Sequence, residues 1–305
     1  MAAEVVELLG GRDAVLDMTV GAGGHAEALL ESGVRRVVGL DRDPSAVRSA
    51  RERLSKYGDR FEGILGRFSE PPAGPFDGVL YDLGVSSMQL DRPERGFGYR
   101  VDGPLDMRMG GDGPTAAELV NELPEQELAR IVFEYGEERQ SRRIARAIVR
   151  ARARRPIETT DELAGVVAGA VGRRPGGAHP ARRTFQALRI VVNRELEELT
   201  SSLPRAVGLL APGGRVVVIA YHSLEDRIAK RFFLGEPSIR VLTKKPLRPK
   251  PEEIARNPRA RSARLRAAEL LPEAGELEGG SSPRAARRGS PRASGPPRSN
   301  REAPA

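Results

Sequence analysis

Ala14-Val15-Leu16-Asp17-Met18-Thr19-Val20-Gly21-Ala22-Gly23-Gly24-His25 is an apolar strand running into a glycine-rich turn, and a helical pattern takes over from Ala26. A second apolar run, Arg36-Val37-Val38-Gly39-Leu40, delivers Asp41 at its carboxyl end. Strand, glycine turn, helix, strand and acid is the order of a nucleotide-binding βαβ unit. The glycines let the backbone come close to a ligand, and an acid about twenty residues on is placed to accept from a ribose diol. An adenosine-containing cofactor is implied, of a kind these residues leave open. Gly21, Gly23 and Ala26 also satisfy the dinucleotide spacing of a nicotinamide enzyme. A ligand-free turn, with Asp43-Pro44 as an ordinary helix start, fits as well.

Outward from this unit the same grammar continues. Arg60 to Leu65 and Phe76-Asp77-Gly78-Val79-Leu80-Tyr81 read as further strands, the second ending at Asp82. Near Pro114 the texture changes to helical periodicity, from Ala116 to Leu203, with breaks expected at Pro124, Pro156, Pro175 and Pro204. Strand grammar returns at Gly214 to Ala220 and leads to His222. The expected architecture is α/β: a Rossmann-like parallel sheet formed by residues 1–112 and 205–270, with an all-helical domain, 113–204, inserted in it. Residues 271–305 are Pro, Gly, Ser, Arg and Glu with almost no large apolar side chain, and read as a disordered tail.

The bulk numbers exclude several classes. At 305 residues and 39% hydrophobic content the chain can bury a real core. It has no cysteine, which rules out a disulfide scaffold, a thiol nucleophile and cysteine-ligated metal; no metal site is expected. No apolar run is long enough for a membrane span and no secretory leader is visible, so a soluble, cytoplasmic protein is expected. The net charge of +8 favours a polyanionic partner such as nucleic acid, while aromatics at 4% argue against a base-stacking single-strand binder.

In open α/β sheets ligands lie beyond the carboxyl ends of the strands, so Asp17, Asp41, Asp82 and His222 are expected around one crevice. Ser86 and Ser87 follow the strand that ends at Asp82, as reactive hydroxyls or as helix caps. Glu94 to Met109 is dense in Gly, Arg and Asp and reads as an ordered loop over the crevice. Within the helical block, Arg142, Arg143, Arg146 and Arg150 share one helix face, either toward a polyanion or paired with Glu134, Glu137 and Glu138. A second basic cluster is His179, Arg182, Arg183 and Arg189.

Several of these stretches form one ordered set: Asp17 to His25, Asp82-Leu-Gly-Val-Ser-Ser87, Arg95-Gly-Phe-Gly98, Asp102 to Arg108, Arg183 to Arg189 with Asn193, His222 to Arg227, and Asn257 to Arg266. The set resembles the MraW (RsmH) family of small-subunit ribosomal RNA methyltransferases, over roughly residues 3 to 270. The resemblance implies S-adenosylmethionine (SAM) as cofactor. It also implies N4-methylation of one cytidine of 16S rRNA, position 1402 in customary rRNA numbering, within the small ribosomal subunit. Carried over by motif, the cofactor contacts are Gly23, Gly24, His25, Asp41, Phe68, Asp82 and Gln89. Asp41 would take the ribose, Phe68 the adenine, Asp82 the ammonium and Gln89 a remaining polar edge. Arg182, Arg183 and Arg189 would meet RNA phosphate. No single base is singled out; Asp82, Ser86 and His222 are the candidates for a chemical role. Two departures stand out: the chain begins at the Glu4–Leu9 helix, without the family's His-x-Pro-Val-Leu-like element, and nothing in the family matches the tail. Two other readings use the same residues, a nicotinamide oxidoreductase and a non-catalytic ribosome-assembly factor that keeps the fold. The first would bind NADH rather than SAM; the second would bind ribosomes without transferring methyl groups.

Overall fold

A computed structural model describes residues 1–172 and 179–272; the tail from 273 and the expected break at Pro175 lie outside the described residues. Helix α1 (Ala2–Leu9) leads into β1 (Ala14–Asp17), α2 (Gly24–Glu31), β2 (Arg36–Asp41), α3 (Pro44–Leu54), β3 (Phe61–Leu65) and β4 (Phe76–Asp82). These form the parallel half of a seven-stranded sheet ordered β3-β2-β1-β4-β5-β7-β6. Buried Val, Leu and Tyr on both faces are what a covered parallel sheet demands. Gly39 is required in β2, because a Cβ there would meet the Val20 side chain at 2.6 Å.

After β4 comes the short helix α4 (Ser87–Leu90), then a loop, then five helices: α5 (Ala116–Glu122), α6 (Glu125–Glu134), α7 (Ser141–Arg152), α8 (Thr160–Val171) and α9 (Arg182–Asn193). Thr115 with Glu118, and Thr159 with Glu162, form reciprocal capping boxes that start α5 and α8. These helices share their own apolar cluster, among them Val120, Leu128, Val132, Ile144, Ile148, Leu163, Phe185 and Leu188. Loop residues Phe97, Leu105, Met107 and Met109 belong to the same cluster.

Helix α10 (Glu195–Gly208) departs from the expected break at Pro204, which sits inside it. Leu199, Leu203, Ala206 and Val207 pack under the sheet with Leu16, Tyr81 and Val218, and this packing carries the helix through its missing N–H. The chain then enters β5 (Leu210–Ala220), α11 (Ser223–Gly235), β6 (Ile239–Val241), α12 (Pro251–Arg256) and β7 (Arg264–Leu270). β7 lies antiparallel between β5 and β6, its Val218↔Arg266 and Val241↔Ala268 registers closing the sheet. An all-parallel dinucleotide sheet ordered 3-2-1-4-5-6 has no such strand. No described helix is long and apolar enough to cross a membrane.

Candidate functional site

The carboxyl ends of the parallel strands open onto a cavity of about 470 Å³. That is within the usual range for a small-molecule site. Its lining includes Thr19 and Gly21 after β1, Asp41 and Arg42 at the end of β2, Phe68 beyond β3, Asp82 to Gln89 after β4, and Tyr221 after β5. Asn193, Glu195 and Glu198 come from the α9–α10 junction, and Glu253 and Asn257 from the segment between β6 and β7. Phe68 packs against Tyr81 in a T-shaped pair, ring centroids 5.8 Å apart, and lines the cavity.

Asp41 is held by its neighbours: Gly21 N–H donates to Oδ2 and Asp43 N–H to Oδ1, both at 2.9 Å. Each oxygen keeps a lone pair. Burial pushes the Asp41 carboxyl up to about 6, against the pull of those two N–H groups. Asp82, which also lines the cavity, has a neighbour at each oxygen. The Tyr221 hydroxyl donates to Oδ1 at 2.9 Å, and His25 Nε2 lies 3.3 Å from Oδ2. Burial works against a charged His25, yet the hydrogen bond and charge of Asp82, with the charge of Asp17, raise its pKa. Its Nδ1 is buried without a hydrogen-bond partner. An imidazole beside a carboxylate can meet the carboxylate and the ammonium of an amino acid.

Of the residues expected here, Gly24, His25, Asp41, Phe68, Asp82, Ser86 and Gln89 line the cavity. Gly23 does not. It caps α2 with φ 79°, and a Cβ on it would meet Leu54 Cδ1 at 3.0 Å and Ala50 Cα at 3.4 Å, so it serves the turn and the packing of α3. Asp17 lies beneath the crevice, 1% exposed, and burial pushes its carboxyl up to about 7. The Ser86 hydroxyl caps α4, as a serine after a strand often does. Gln89 has both ends of its amide engaged: Oε1 accepts from Ser86 N–H at 3.0 Å, and Nε2 donates to Asp43 Oδ2 at 2.9 Å. His222 stands at the α11 N-terminus outside the lining, with Nε2 3.0 Å from Glu225 Oε1.

Arg189 also departs from expectation. It makes a two-bond fork to Glu195, at 2.8 and 2.7 Å, and its side chain is 14% exposed. It holds the cavity wall, and only Arg182 and Arg183 are exposed on α9. Glu195, His222 and Glu225 bring ligand-type atoms within 4.8 Å of one another. Arg189 already neutralises Glu195, and Glu225 accepts the N–H groups of Tyr221 and His222, while neither ring nitrogen of His222 makes a hydrogen bond. The arginine face of α7 does not pair as expected. Glu134 takes Arg130, Glu137 takes Ser223 and Arg227, and Glu138 takes Arg183, while Arg146 reaches Glu125.

The sequence assigns no role to Tyr221 or Arg42, and Asn193 enters it only as the close of the Arg183-to-Arg189 motif. Tyr221 immediately precedes His222, and the return of the chain at the end of β5 beside Asp82 was the one available signal.

The sequence pattern of the MraW methylase family matches residues 1–271. The chain is 49% identical over 295 aligned positions to ribosomal RNA small subunit methyltransferase H of Azorhizobium caulinodans, covering 88% of this chain and 85% of that protein. It is 50% identical over 293 positions to the protein of the same name from Methylobacterium sp. (strain 4-46), covering 87% of each. With the corresponding protein of Heliobacterium modesticaldum the identity is 48% over 287 positions, covering 84% of this chain and 92% of the relative. A pattern matched from the first helix to the last strand, and near-half identity to proteins covered almost end to end, have one consequence. The chain belongs to the MraW methylase family.

Proposed function

We propose that the protein is a SAM-dependent methyltransferase that N4-methylates one cytidine of 16S rRNA in the small ribosomal subunit, in the cytoplasm. The observation that carries this reading is the cavity itself, where Asp41 at the end of β2 and the Asp82–His25 pair at the ends of β4 and the glycine turn face one space. The relatives' shared name supplies the RNA.

The residues fit SAM. Asp41 has acceptor capacity left for a ribose diol, Phe68 offers an apolar face to adenine, and the unpartnered His25 Nδ1 awaits an anionic group. Asp82 suits the ammonium. When bound, SAM supplies a methyl group made electrophilic by its sulfonium. The exocyclic amine of cytosine is a poor nucleophile because its lone pair is delocalised into the ring. The protein's task is therefore to position the amine and to accept from its N–H groups. Asp82 is the acceptor for this as well as for the ammonium, one role to each oxygen: Tyr221 takes Oδ1 and His25 Oδ2 with one contact each, and both oxygens keep a lone pair. Leu83, Val85, Met88 and Leu199 give the wall its apolar part.

The test incubates purified protein, labelled SAM and unmethylated small subunits, then maps the label by mass spectrometry. One cytidine carrying a single N4-methyl is expected, with free cytidine and short RNA much poorer substrates. Label on a base carbon, a ribose or transfer RNA overturns the substrate assignment, and tight NADH binding without SAM binding overturns the cofactor.

A further inference from the structure

Two side chains that follow Asp41 in sequence, Arg42 and Asp43, are linked to each other through the loop after β4 and the end of α9. The Asp43 carboxylate is nearly buried, its side chain 3% exposed. Its Oδ1 accepts from the Ser45 N–H and hydroxyl at 2.9 and 2.7 Å, and its Oδ2 from Gln89 at 2.9 Å and Arg95 at 2.8 Å. Burial opposes the Asp43 charge, but these donors together hold its carboxyl below the ordinary range. Arg95 then passes on to the carbonyls of Arg108 and Met109, at 3.0 and 3.1 Å. Met109 N–H donates to Asn193 Oδ1 at 2.9 Å, and Asn193 Nδ2 donates to Met107 O at 2.7 Å. The Asn193 carbonyl accepts from Arg42 at 2.7 Å, which closes the circuit at the residue next to Asp41.

The circuit ties three walls of the cavity together. Asp41 belongs to the cofactor end, Gln89 to the segment after β4, and Met109 and Asn193 to the loop and helical block on the far side. One member, Met107, and the residue after Asn193, Arg194, hold strained backbone. Met107 is fully buried at φ 65° and Arg194 sits at φ 50°, both left-handed conformations that a non-glycine residue holds only where its surroundings impose them. Asn193 itself is 1% exposed and cannot touch a macromolecular substrate.

We infer that Asp43, Arg95 and Asn193 are positioning residues, which hold the cofactor seat around Asp41 and the wall that presents the target base in one register. The inference rests on the proposed methyl transfer. A displacement of about 1 Å between reacting groups costs on the order of a hundredfold in rate, so a circuit that fixes this distance acts on kcat more than on binding.

The test uses the full chain with SAM and unmethylated small subunits, and compares Arg95→Lys, Asn193→Ala and the double variant. SAM affinity is measured by calorimetry, folding by thermal denaturation, and kcat and both KM values by methyl incorporation. Each single variant is expected to lose about ten- to a hundredfold in kcat with KM for SAM within about threefold. The double variant should lose no more than the worse single one, because both cut the same circuit. Arg95→Met should be worse than Arg95→Lys, which keeps one donor for Asp43. Unchanged kcat per folded molecule, or losses that multiply in the double variant, overturn the inference while leaving the methyltransferase reading intact. Wild-type protein that neither binds SAM nor transfers methyl groups overturns both.

Discussion

Asp41 and Asp82 show what a single carboxylate can do when its neighbours take up its oxygens first. Asp41 reaches the cavity with both oxygens steadied by backbone N–H groups. Each ribose hydroxyl given to such an acceptor is a charge-assisted bond worth roughly 1.5–3 kcal/mol. Asp41→Ala should therefore weaken SAM binding about ten- to a hundredfold or more, read by calorimetry on folded protein. Unchanged affinity would remove Asp41 from the ribose site. The carboxyl is raised to about 6, so its charged form is lost as pH falls through that value. SAM affinity of the wild type should accordingly decline below pH ~6, well above the range where an ordinary aspartate protonates. Asp41 was legible in the sequence because its distance from the glycine turn is set along the chain. The grip of Tyr221 on Asp82 was not, since 139 residues separate the two and only the strand order brings them together.

At the level of elements, helix α9 divides its arginines by depth, which spacing alone did not reveal. Arg182 and Arg183 are exposed at its start, whereas Arg189 turns inward to Glu195. Neutralising Arg182 and Arg183 should weaken binding to small subunits and reduce the slope of log affinity against log salt by roughly 0.7–0.9 per lost phosphate contact. A double variant with the wild-type slope would leave these residues as a solvated face. Arg189→Met should act on stability instead, costing roughly 3–5 kcal/mol by stranding Glu195, and chemical denaturation would detect it. Strand β7 is the element that composition hides best. Arg264-Leu-Arg-Ala-Ala-Glu-Leu270 consists of good helix formers, and pairing on both sides by β5 and β6 overrides that preference. Strands β1, β2 and β4 carry their signal locally, in buried apolar runs ended by acids, and were legible for that reason.

For the molecule as a whole, burying acids at the strand ends has a stability cost that depends on pH. Asp17 and Asp41 have folded-state pKa values of about 7 and about 6, against an ordinary 3.8. Between pH ~4 and ~7 these two groups hold more protons in the folded chain than in the unfolded one, and their contribution to stability falls as pH rises. For Asp17 alone the difference is on the order of 4 kcal/mol at neutral pH. Calorimetry of the ligand-free protein from pH 5 to 8 should find Asp17→Asn less sensitive to pH than the wild type; equal slopes would contradict the buried charge. The strand order carries a further consequence, one of timing. As a ribosome makes this chain, β6 emerges before the strand it pairs with, and β5 keeps a bare edge until residues 264–270 arrive. A nascent chain stopped at Ala263 would present two unpaired strand edges, an invitation to aggregate that the last seven residues of the sheet withdraw.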